Sequence, residues 1–225
     1  MINTQINITE SKELFEKNRK VCIENFFDNS FVEILFKYIL TEKNWDLACG
    51  INSTRYQNKI SPANQKKNDE LGKQVTNAYS KDQFSYIFHR SMNNKTPSMI
   101  EQNIRNLLSS SSFIQMLRDI TNIPIEKLNT MFLSKYKSGH FLSPHSDRGN
   151  GKLTFVIYLS KHWKPHYGGI LHFLSQDRSK IIDSFVPGYN QLILFEVDND
   201  NHSHYISHVS PNVPFHRYAI TGWYD

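Results

Sequence analysis

The apolar positions change their spacing about halfway along the chain. In the first half they recur every three or four residues, which places apolar side chains on one face of a helix. This spacing predicts helices at 9–20, 30–43, 69–80, after the capping pattern Ser98-Met-Ile-Glu101, and at 111–121. Strands are predicted at 44–50 and 83–90. The polar run 52–69, interrupted by Pro62, predicts a long loop, typical either of disorder or of a site.

From residue 129 onward, apolar and polar residues alternate, as in strands with two different faces. Strands are predicted at 130–136, around His145, and at 152–160, 170–174, 180–185, 191–196, 205–209 and 217–224. Helices followed by about eight short strands predict an α+β, mainly β fold. The expected architecture is a β-sandwich or jelly roll with helices on one outer face. We interpret 1–225 as a single domain, in which 1–125 supports a β core at 130–225.

Composition narrows the classes of protein that need consideration. The chain is 39% hydrophobic and 13% aromatic, enough for a packed core rather than a disordered chain. The net charge of +5 comes from scattered lysines, which disfavours a nucleic-acid partner. Cys22 and Cys49 form neither a metal-type pair nor a disulfide framework. With no signal peptide or membrane span in the sequence, we expect a cytoplasmic protein without a membrane partner.

The C-terminal strand 217–224 begins with an arginine although the rest of it is strongly apolar. Alternation places Arg217, Ala219, Thr221 and Trp223 on one face. An inward Arg217 requires an anionic partner, because a buried unpaired guanidinium is costly. His145 and Asp147, two apart, share a face of their own short segment. Together these residues predict a metal site that also holds a dicarboxylate.

The second histidine of this site has several candidates. His202 and His204 fall in the polar run Asn199-Asp-Asn-His-Ser-His, which we interpret as a solvent-exposed turn. His216 is adjacent to Arg217, so alternation turns it to the opposite face. His208 lies on the predicted strand 205–209 and is the expected ligand.

Two histidines and one carboxylate are the ligand set of non-heme Fe(II) oxygenases, although catalytic zinc uses similar ligands. Zinc hydrolysis leaves the inward Arg217 without a role, whereas a dicarboxylate cosubstrate can chelate iron and pair with its guanidinium. Tyr158, on the inward face of its strand, can donate its hydroxyl to the same carboxylate, and Thr221 shares the face of Arg217. Tyr136 is either a further phenol near the metal or an ordinary packing residue.

The C-terminal residues resemble a known family. The order Tyr136, His145-x-Asp147, Tyr158-Leu-Ser, Gly168-Gly-Ile-Leu, Pro187, Leu192–Phe195, His208 and Arg217-Tyr-Ala-Ile-Thr-Gly-Trp-Tyr resembles the prolyl-hydroxylase branch of the Fe(II)/2-oxoglutarate-dependent dioxygenases. Arg217 follows His208 by nine residues, the spacing of that branch. Two departures are a Tyr136-to-His145 gap that is one residue short and the polar insertion before His208.

The resemblance implies a double-stranded β-helix, a cupin-like jelly roll with N-terminal helices packed on the outer face of the major sheet. It implies Fe(II) held by His145, Asp147 and His208, and 2-oxoglutarate held by Arg217 with Tyr158, Thr221 and Tyr136. O2 is the co-reactant, and ascorbate is an optional additional cofactor. The implied reaction is hydroxylation of an unactivated C–H, in a prolyl residue of a protein or peptide. Asp147 stands where related halogenases have a small residue, so hydroxylation is expected.

Three other functions remain to be weighed. A hydroxylase of free amino acids or other small molecules would use the same site, with 52–69 and 83–90 as the segments expected to contact substrate. A non-catalytic metal-binding jelly roll would leave Arg217, Thr221 and Tyr158 unexplained. Nucleic-acid demethylases of the superfamily typically have a second arginine six residues after the first, where this chain has Trp223.

Overall fold

The computed structural model describes residues 1–42, 44–91, 98–197 and 203–225. Its α-helices are α1 (Ile8–Asn18), α2 (Asn29–Thr41), α3 (Gln65–Ser80), α4 (Met99–Leu108) and α5 (Ser111–Thr121), with short 3₁₀ helices at Pro62–Asn64 and Pro165–Tyr167. Its strands are β1 (Lys20–Glu24), β2 (Asp46–Ile51), β3 (Thr54–Lys59), β4 (Ser85–Ser91), β5 (Leu128–Tyr136), β6 (Phe141–His145), β7 (Leu153–Leu159), β8 (Leu171–Leu174), β9 (Ile181–Phe185), β10 (Tyr189–Glu196), β11 (His204–Ile206) and β12 (Arg217–Tyr224).

The strands form one antiparallel sheet that curls almost into a closed barrel. Its order is β1-β10-β7-β12-β5-β4-β6-β11-β8-β9, and the β2–β3 hairpin joins through the pairing of β2 with β4. The two ends of this path approach each other, since Nζ of Lys20 in β1 lies 3.5 Å from the carboxylate of Asp183 in β9. This arrangement is the expected double-stranded β-helix, and the mainly β class is confirmed.

The two faces of the major sheet, β1-β10-β7-β12-β5, build two different cores. On β7, Phe155 and Ile157 point outward and pack with buried residues of α1, α2, α4 and α5. The alternate residues Val156 and Tyr158 point into the barrel. The predicted packing of N-terminal helices on the outer face of this sheet is therefore confirmed for four helices. The fifth, α3, packs instead on β2 and β4 through Leu71 and Val75.

Capping residues set the helix boundaries. Ser98 accepts a hydrogen bond from the backbone N–H of Glu101 and begins α4, as the capping pattern predicts. Ser110 does the same for α5, which ends at Asn122 in the left-handed conformation. The predicted helix at 111–121 matches α5. At the first helix the cap is Asn7, and the predicted boundaries 9–20 run into β1.

Two expectations for the N-terminal half are wrong. Strand β1 precedes the predicted first strand at 44–50, which corresponds to β2. The predicted loop at 52–69 instead contains β3, a 3₁₀ helix and the start of α3. The side chains of β3 are mostly exposed because it is an edge strand paired only with β2, so it lacks the apolar alternation of a half-buried strand. Within the described ranges, no helix combines the length and apolar character needed to cross a bilayer.

Candidate active site

Two neighbouring strands bring three side chains of metal-ligating types together at one end of the barrel. His145 ends β6, Asp147 follows two residues later, and His204 begins β11. Strands β6 and β11 pair in antiparallel orientation with His204 directly opposite His145. The His145 and His204 ring centroids are 4.3 Å apart, and one ligand atom from each of the three residues lies within 4.8 Å of the others. Pairing of the strands therefore creates the cluster.

The three side chains are held with their ligand atoms directed at one another. Nε2 of His145 lies 3.4 Å from Oδ1 of Asp147, and Nε2 of His204 lies 3.7 Å from Oδ2. His145 Nδ1 lies 3.0 Å from the carbonyl oxygen of Ser143, which can only accept, so Nδ1 is the donor. This tautomer leaves the Nε2 lone pair for a metal ion. Thr154 Oγ1 donates to Oδ2 of Asp147 at 2.8 Å and fixes the carboxylate from behind.

The electrostatics of the cluster keep Asp147 ionised. Burial alone would raise the pKa of the Asp147 carboxyl, since its side chain is almost inaccessible to solvent. The adjacent His204 and His145 outweigh burial and hold the pKa of Asp147 well below its usual range. A buried carboxylate between two imidazoles is an anionic oxygen donor suited to a divalent cation.

The prediction that His208 completes the cluster is wrong, and His204 takes that place. The ring of His208 stacks on Phe141 with centroids 4.1 Å apart and contacts Tyr79 at 4.6 Å, away from Asp147. Strand β11 ends at Ile206, two residues before His208, so the alternation assumed for 205–209 does not extend to it. His204 is 4% exposed, in contrast to the solvent-exposed turn residue that the sequence predicted.

The misassignment has an identifiable origin in the sequence. Residues 198–202, which include His202, lie outside the described residues, and their polar composition extended the predicted turn as far as His204. A signal for His204 existed, since it shares strand parity with the apolar Ile206 and both line the cavity. The separation from the second histidine to Arg217 is consequently thirteen residues and not nine.

Arg217 lies inside the barrel, as its position on the strand predicts. It is 1% exposed, and its Nη2 donates to the Tyr158 hydroxyl at 3.1 Å. The guanidinium carbon lies 4.7 Å from the ring centroid of Tyr136 and 4.9 Å from that of Tyr158. Register explains these contacts, because Arg217 faces Tyr136 across β12–β5 and Ala219 faces Tyr158 across β12–β7. Burial raises the pKa of both phenols, so they remain neutral donors.

Gly169 makes room for the Arg217 side chain. A Cβ at this position would lie 3.0 Å from Cδ of Arg217, and its φ of +64° falls in the left-handed region that favours glycine. A larger residue would push the guanidinium out of its place between the two tyrosines. The second glycine of the Gly168-Gly169 pair thus serves the arginine site directly.

One cavity connects the histidine–aspartate cluster to Arg217. Its volume is about 370 Å³. Its lining includes the metal-ligating cluster, Arg217, Thr221, Tyr136, Trp223 and an aromatic wall from β4. Tyr158 lies behind Arg217, fully buried, and orients it. Of the seven predicted site residues, the structure therefore brings together six, and only His208 lies elsewhere.

The donor atoms of this cavity fit Fe(II) and a dicarboxylate. Two imidazole nitrogens and a carboxylate oxygen form the three-ligand set that leaves coordination positions open. The Nε atom of Arg217 is buried without a hydrogen-bond partner, and no carboxylate among the described residues pairs with its guanidinium. Such a group is costly unless a bound anion satisfies it. A 2-oxoglutarate carboxylate at this position would do so.

Comparison with known proteins connects this geometry to a family. Residues 131–225 match the family model of the 2OG-Fe(II) oxygenase superfamily. Prolyl 3-hydroxylase OGFOD1 of Xenopus laevis is 29% identical over 150 residues, which cover 64% of this chain and 29% of that protein. Prolyl 3,4-dihydroxylase OGFOD1 of Ostreococcus tauri is 28% identical over 145 residues, which cover 60% of this chain and 28% of that protein. The chain thus spans less than a third of the length of these curated relatives.

Solved structures share the fold over nearly the whole chain. A Pseudomonas putida prolyl-4-hydroxylase superposes with a TM-score of 0.62 at 13% identity, covering 97% of this chain and 98% of that one. An oxidoreductase of the 2OG-Fe(II) oxygenase family from Burkholderia pseudomallei superposes with a TM-score of 0.64 at 13% identity, covering 100% of this chain and 93% of that one. The chain is therefore similar to the 2OG-Fe(II) oxygenase superfamily over residues 131–225, and it shares the fold of these solved structures over nearly its whole length.

Proposed function

We propose that this protein is an Fe(II)- and 2-oxoglutarate-dependent dioxygenase that hydroxylates a prolyl residue in a protein or peptide. The match of residues 131–225 to the family model of the 2OG-Fe(II) oxygenase superfamily supports the reaction class. The names of the curated relatives, prolyl 3-hydroxylase and prolyl 3,4-dihydroxylase, favour a prolyl residue over a free amino acid. Because the chain spans only part of those relatives, the prolyl substrate rests on the shared catalytic region.

The main support for this proposal is that one cavity contains two chemically different sites, the histidine–aspartate cluster and the buried Arg217. The cluster of His145, Asp147 and His204 offers three ligand atoms for one cation. The buried Arg217, lying over the rings of Tyr136 and Tyr158, offers a guanidinium that pairs with no carboxylate of the described ranges. A metal-binding jelly roll without turnover has no use for the second site, whereas a cosubstrate that chelates iron and ends in a carboxylate uses both.

Each residue has a defined task in this proposal. His145, Asp147 and His204 hold Fe(II), and Thr154 orients the carboxylate of Asp147. Arg217 binds the distal carboxylate of 2-oxoglutarate, assisted by Tyr158 and Thr221, and Tyr136 packs against the guanidinium. Fe(II) with 2-oxoglutarate supplies the O2-dependent oxidation of an unactivated C–H, with succinate and CO2 as coproducts. The enclosing strands orient the target carbon and keep water from the reacting groups.

Purified protein, Fe(II), 2-oxoglutarate and O2, incubated with proline-containing peptides, test the proposal directly. We expect succinate release and a mass gain of one oxygen on proline, both dependent on Fe(II). A parallel panel of free amino acids tests the alternative substrate class. Oxygen gain on a free amino acid with no gain on any peptide would replace the prolyl proposal with a small-molecule hydroxylase. An absence of 2-oxoglutarate turnover with every substrate would contradict the enzymatic assignment.

The conditions of the assay follow from the remaining predictions. Cys22 and Cys49 are both free thiols, which fits the reducing, cytoplasmic location expected from the sequence. Reducing buffer with ascorbate keeps iron in the ferrous state, and the dependence of turnover on ascorbate is measured by omitting it. Cytoplasmic location, ascorbate as an optional additional cofactor and the single-domain interpretation of 1–225 remain predictions.

A further inference from the structure

The cavity opens past one face of β4 that is aromatic along its length and ends in a cation. Alternation places Phe84, directly before β4, on the same side of the chain as Tyr86, Phe88 and Arg90 of β4, and all four line the cavity. Their rings form a continuous wall, with centroids 5.9 Å apart for Phe84–Tyr86 and 5.8 Å for Tyr86–Phe88. Such a wall suits the apolar ring of a proline and an extended peptide backbone.

A second arginine reaches the same wall from the β2–β3 hairpin. Gly50 of β2 lies between Arg55 of β3 and Tyr86 of β4 in the register of the three strands. A Cβ on Gly50 would lie 2.5 Å from Cε1 of Tyr86, so glycine allows the tyrosine ring to lie across β2. Arg55 lines the cavity as well. Burial raises the pKa of Tyr86 while Arg90 and Arg55 oppose that rise, which agrees with both guanidinium groups lying near its hydroxyl.

Neither of these arginines is neutralised by a carboxylate among the described residues. Nη2 of Arg90 donates to the neutral Oε1 of Gln57 at 2.6 Å, and its Nε is buried without a partner. Asp46, the nearby acid, instead accepts from Nε2 of Gln57 at 2.6 Å and pairs with Lys59. Among the described residues that line the cavity, the one carboxylate, Asp147, belongs to the metal-ligating cluster. The rim made by Arg55, Tyr86 and Arg90 therefore carries uncompensated positive charge.

We propose that this Arg55–Tyr86–Arg90 rim selects peptides with an aspartate or glutamate close to the target proline. The carboxylate accepts hydrogen bonds from the two guanidinium groups, and the proline enters along the aromatic wall toward the metal-ligating cluster. This inference rests on the proposed prolyl hydroxylation and adds the charge of the sequence around the proline. A nucleic-acid phosphate is a less suitable occupant, because the described residues of the cavity lining include no lysine and just two arginines beyond Arg217.

A matched peptide library tests the preference with the unmodified protein. Each peptide carries one proline. At each position within three residues of it, a peptide with Asp is compared with the same peptide carrying Asn, and one with Glu is compared with its Gln counterpart. At the best position we expect about a tenfold higher kcat/KM for the acidic member, mainly through KM, as for one charge-assisted hydrogen-bonded contact. The ratio should shrink as ionic strength rises, because the rim is partly exposed to solvent.

Substitutions then locate the preference on the rim. Arg90→Gln and Arg55→Gln should each reduce the ratio of acidic to amide kcat/KM, and the double variant should bring it close to one. Arg178→Gln is the control, since it removes an arginine charge at an exposed turn outside the cavity lining and should keep the wild-type ratio. The 2-oxoglutarate-dependent rise in Tm verifies that each variant is folded.

The failure of this inference can be distinguished from failure of the proposed function. Hydroxylation of acidic and amide peptides with equal kcat/KM by the unmodified protein would overturn the rim's selectivity and leave prolyl hydroxylation intact. A preference that survives in the folded double variant would also overturn it, since the charge would then be recognised elsewhere. If 2-oxoglutarate is consumed but no peptide gains oxygen, the prolyl proposal itself fails and the inference fails with it. The same holds if a nucleic acid gains oxygen in place of the peptides.

Discussion

His204 lies directly opposite His145 in the antiparallel pairing of β11 with β6, and their rings are 4.3 Å apart. His208, four residues later, stacks on Phe141 outside the cluster. We expect His204→Ala to weaken Fe(II) binding and Fe(II)-dependent turnover by at least about a hundredfold, since even residues that merely support a ligand can cost that much. His208→Ala is the matched control. Titration of Fe(II) under anaerobic conditions measures the affinity, and a loss in the His208 variant with none in the His204 variant would refute the assignment.

Asp147 is the proposed anionic ligand of the cluster, and substitutions that remove its carboxylate test whether hydroxylation depends on it. Asp147→Ala and Asp147→Gly should abolish hydroxylation, because the two histidines alone leave the cation without a charged donor. Succinate release and peptide oxidation are measured together at saturating Fe(II). An unchanged hydroxylation rate in either variant would count heavily against a ligand role for Asp147.

In the proposed site Thr154 positions Asp147 through its hydrogen bond, so its substitution should alter the Fe(II) affinity without removing a ligand. Thr154→Val deletes the 2.8 Å hydrogen bond to Oδ2 within a buried site, whereas Thr154→Ser retains a hydroxyl donor. We expect Thr154→Val to weaken Fe(II) binding about tenfold or more and Thr154→Ser to restore most of the affinity. Equal Fe(II) dissociation constants for the two variants would show that the hydroxyl does not position the carboxylate.

Substitution of Arg217 should weaken 2-oxoglutarate binding without lowering the Tm of the protein. Arg217→Met removes a buried guanidinium without a protein carboxylate, so the protein without cosubstrate should keep or raise its Tm. The KM for 2-oxoglutarate should rise by about thirtyfold or more, the cost of truncating one partner of a buried charge pair. Tyr158→Phe, which removes one hydrogen bond to Arg217, should raise it by about tenfold or less. A thermal shift from 2-oxoglutarate as large in Arg217→Met as in the unmodified protein would argue against this binding site.

The sequence correctly predicted elements with two faces in different surroundings, because such elements show a periodic pattern of residue types. Strand β12 was predicted with its observed bounds, since alternation along Arg217–Tyr224 reflects a cavity face and a helix-covered face. Strand β3 was missed because, as an edge strand, it is mostly exposed and lacks that alternation. The three-residue strand β11 is too short for periodicity to be informative. Its partner β6 determines which histidine reaches Asp147, and strand pairing is a tertiary feature that single-sequence periodicity does not contain.

His89 and His140 make the stability of the fold sensitive to acid. Their rings are 4.9 Å apart, and the Nδ1 atom of each is buried without a partner. Burial, followed by the neighbouring His140 and Lys137, lowers the pKa of His89 to about 2. Burial, followed by Lys137, lowers the pKa of His140 to about 3. Both imidazoles are therefore neutral in the folded protein over a pH range in which they would be protonated in the unfolded chain.

The sign of the pH dependence follows from this difference. Below the unfolded pKa of about 6.5 the unfolded chain binds more protons than the folded protein, so protonation favours unfolding. The stabilisation is complete above about pH 6.5 and is lost as the pH falls from there toward the folded pKa values. For each of the two histidines, the free energy of unfolding should fall by about 1.4 kcal/mol per pH unit within this window. Urea unfolding at about pH 7.5 and about pH 5.5 measures the loss, and His89→Gln should reduce it by about 1 kcal/mol. The exposed His166 provides the control substitution, His166→Gln, and an equal acid-induced loss in the two variants would contradict the role of the buried pair.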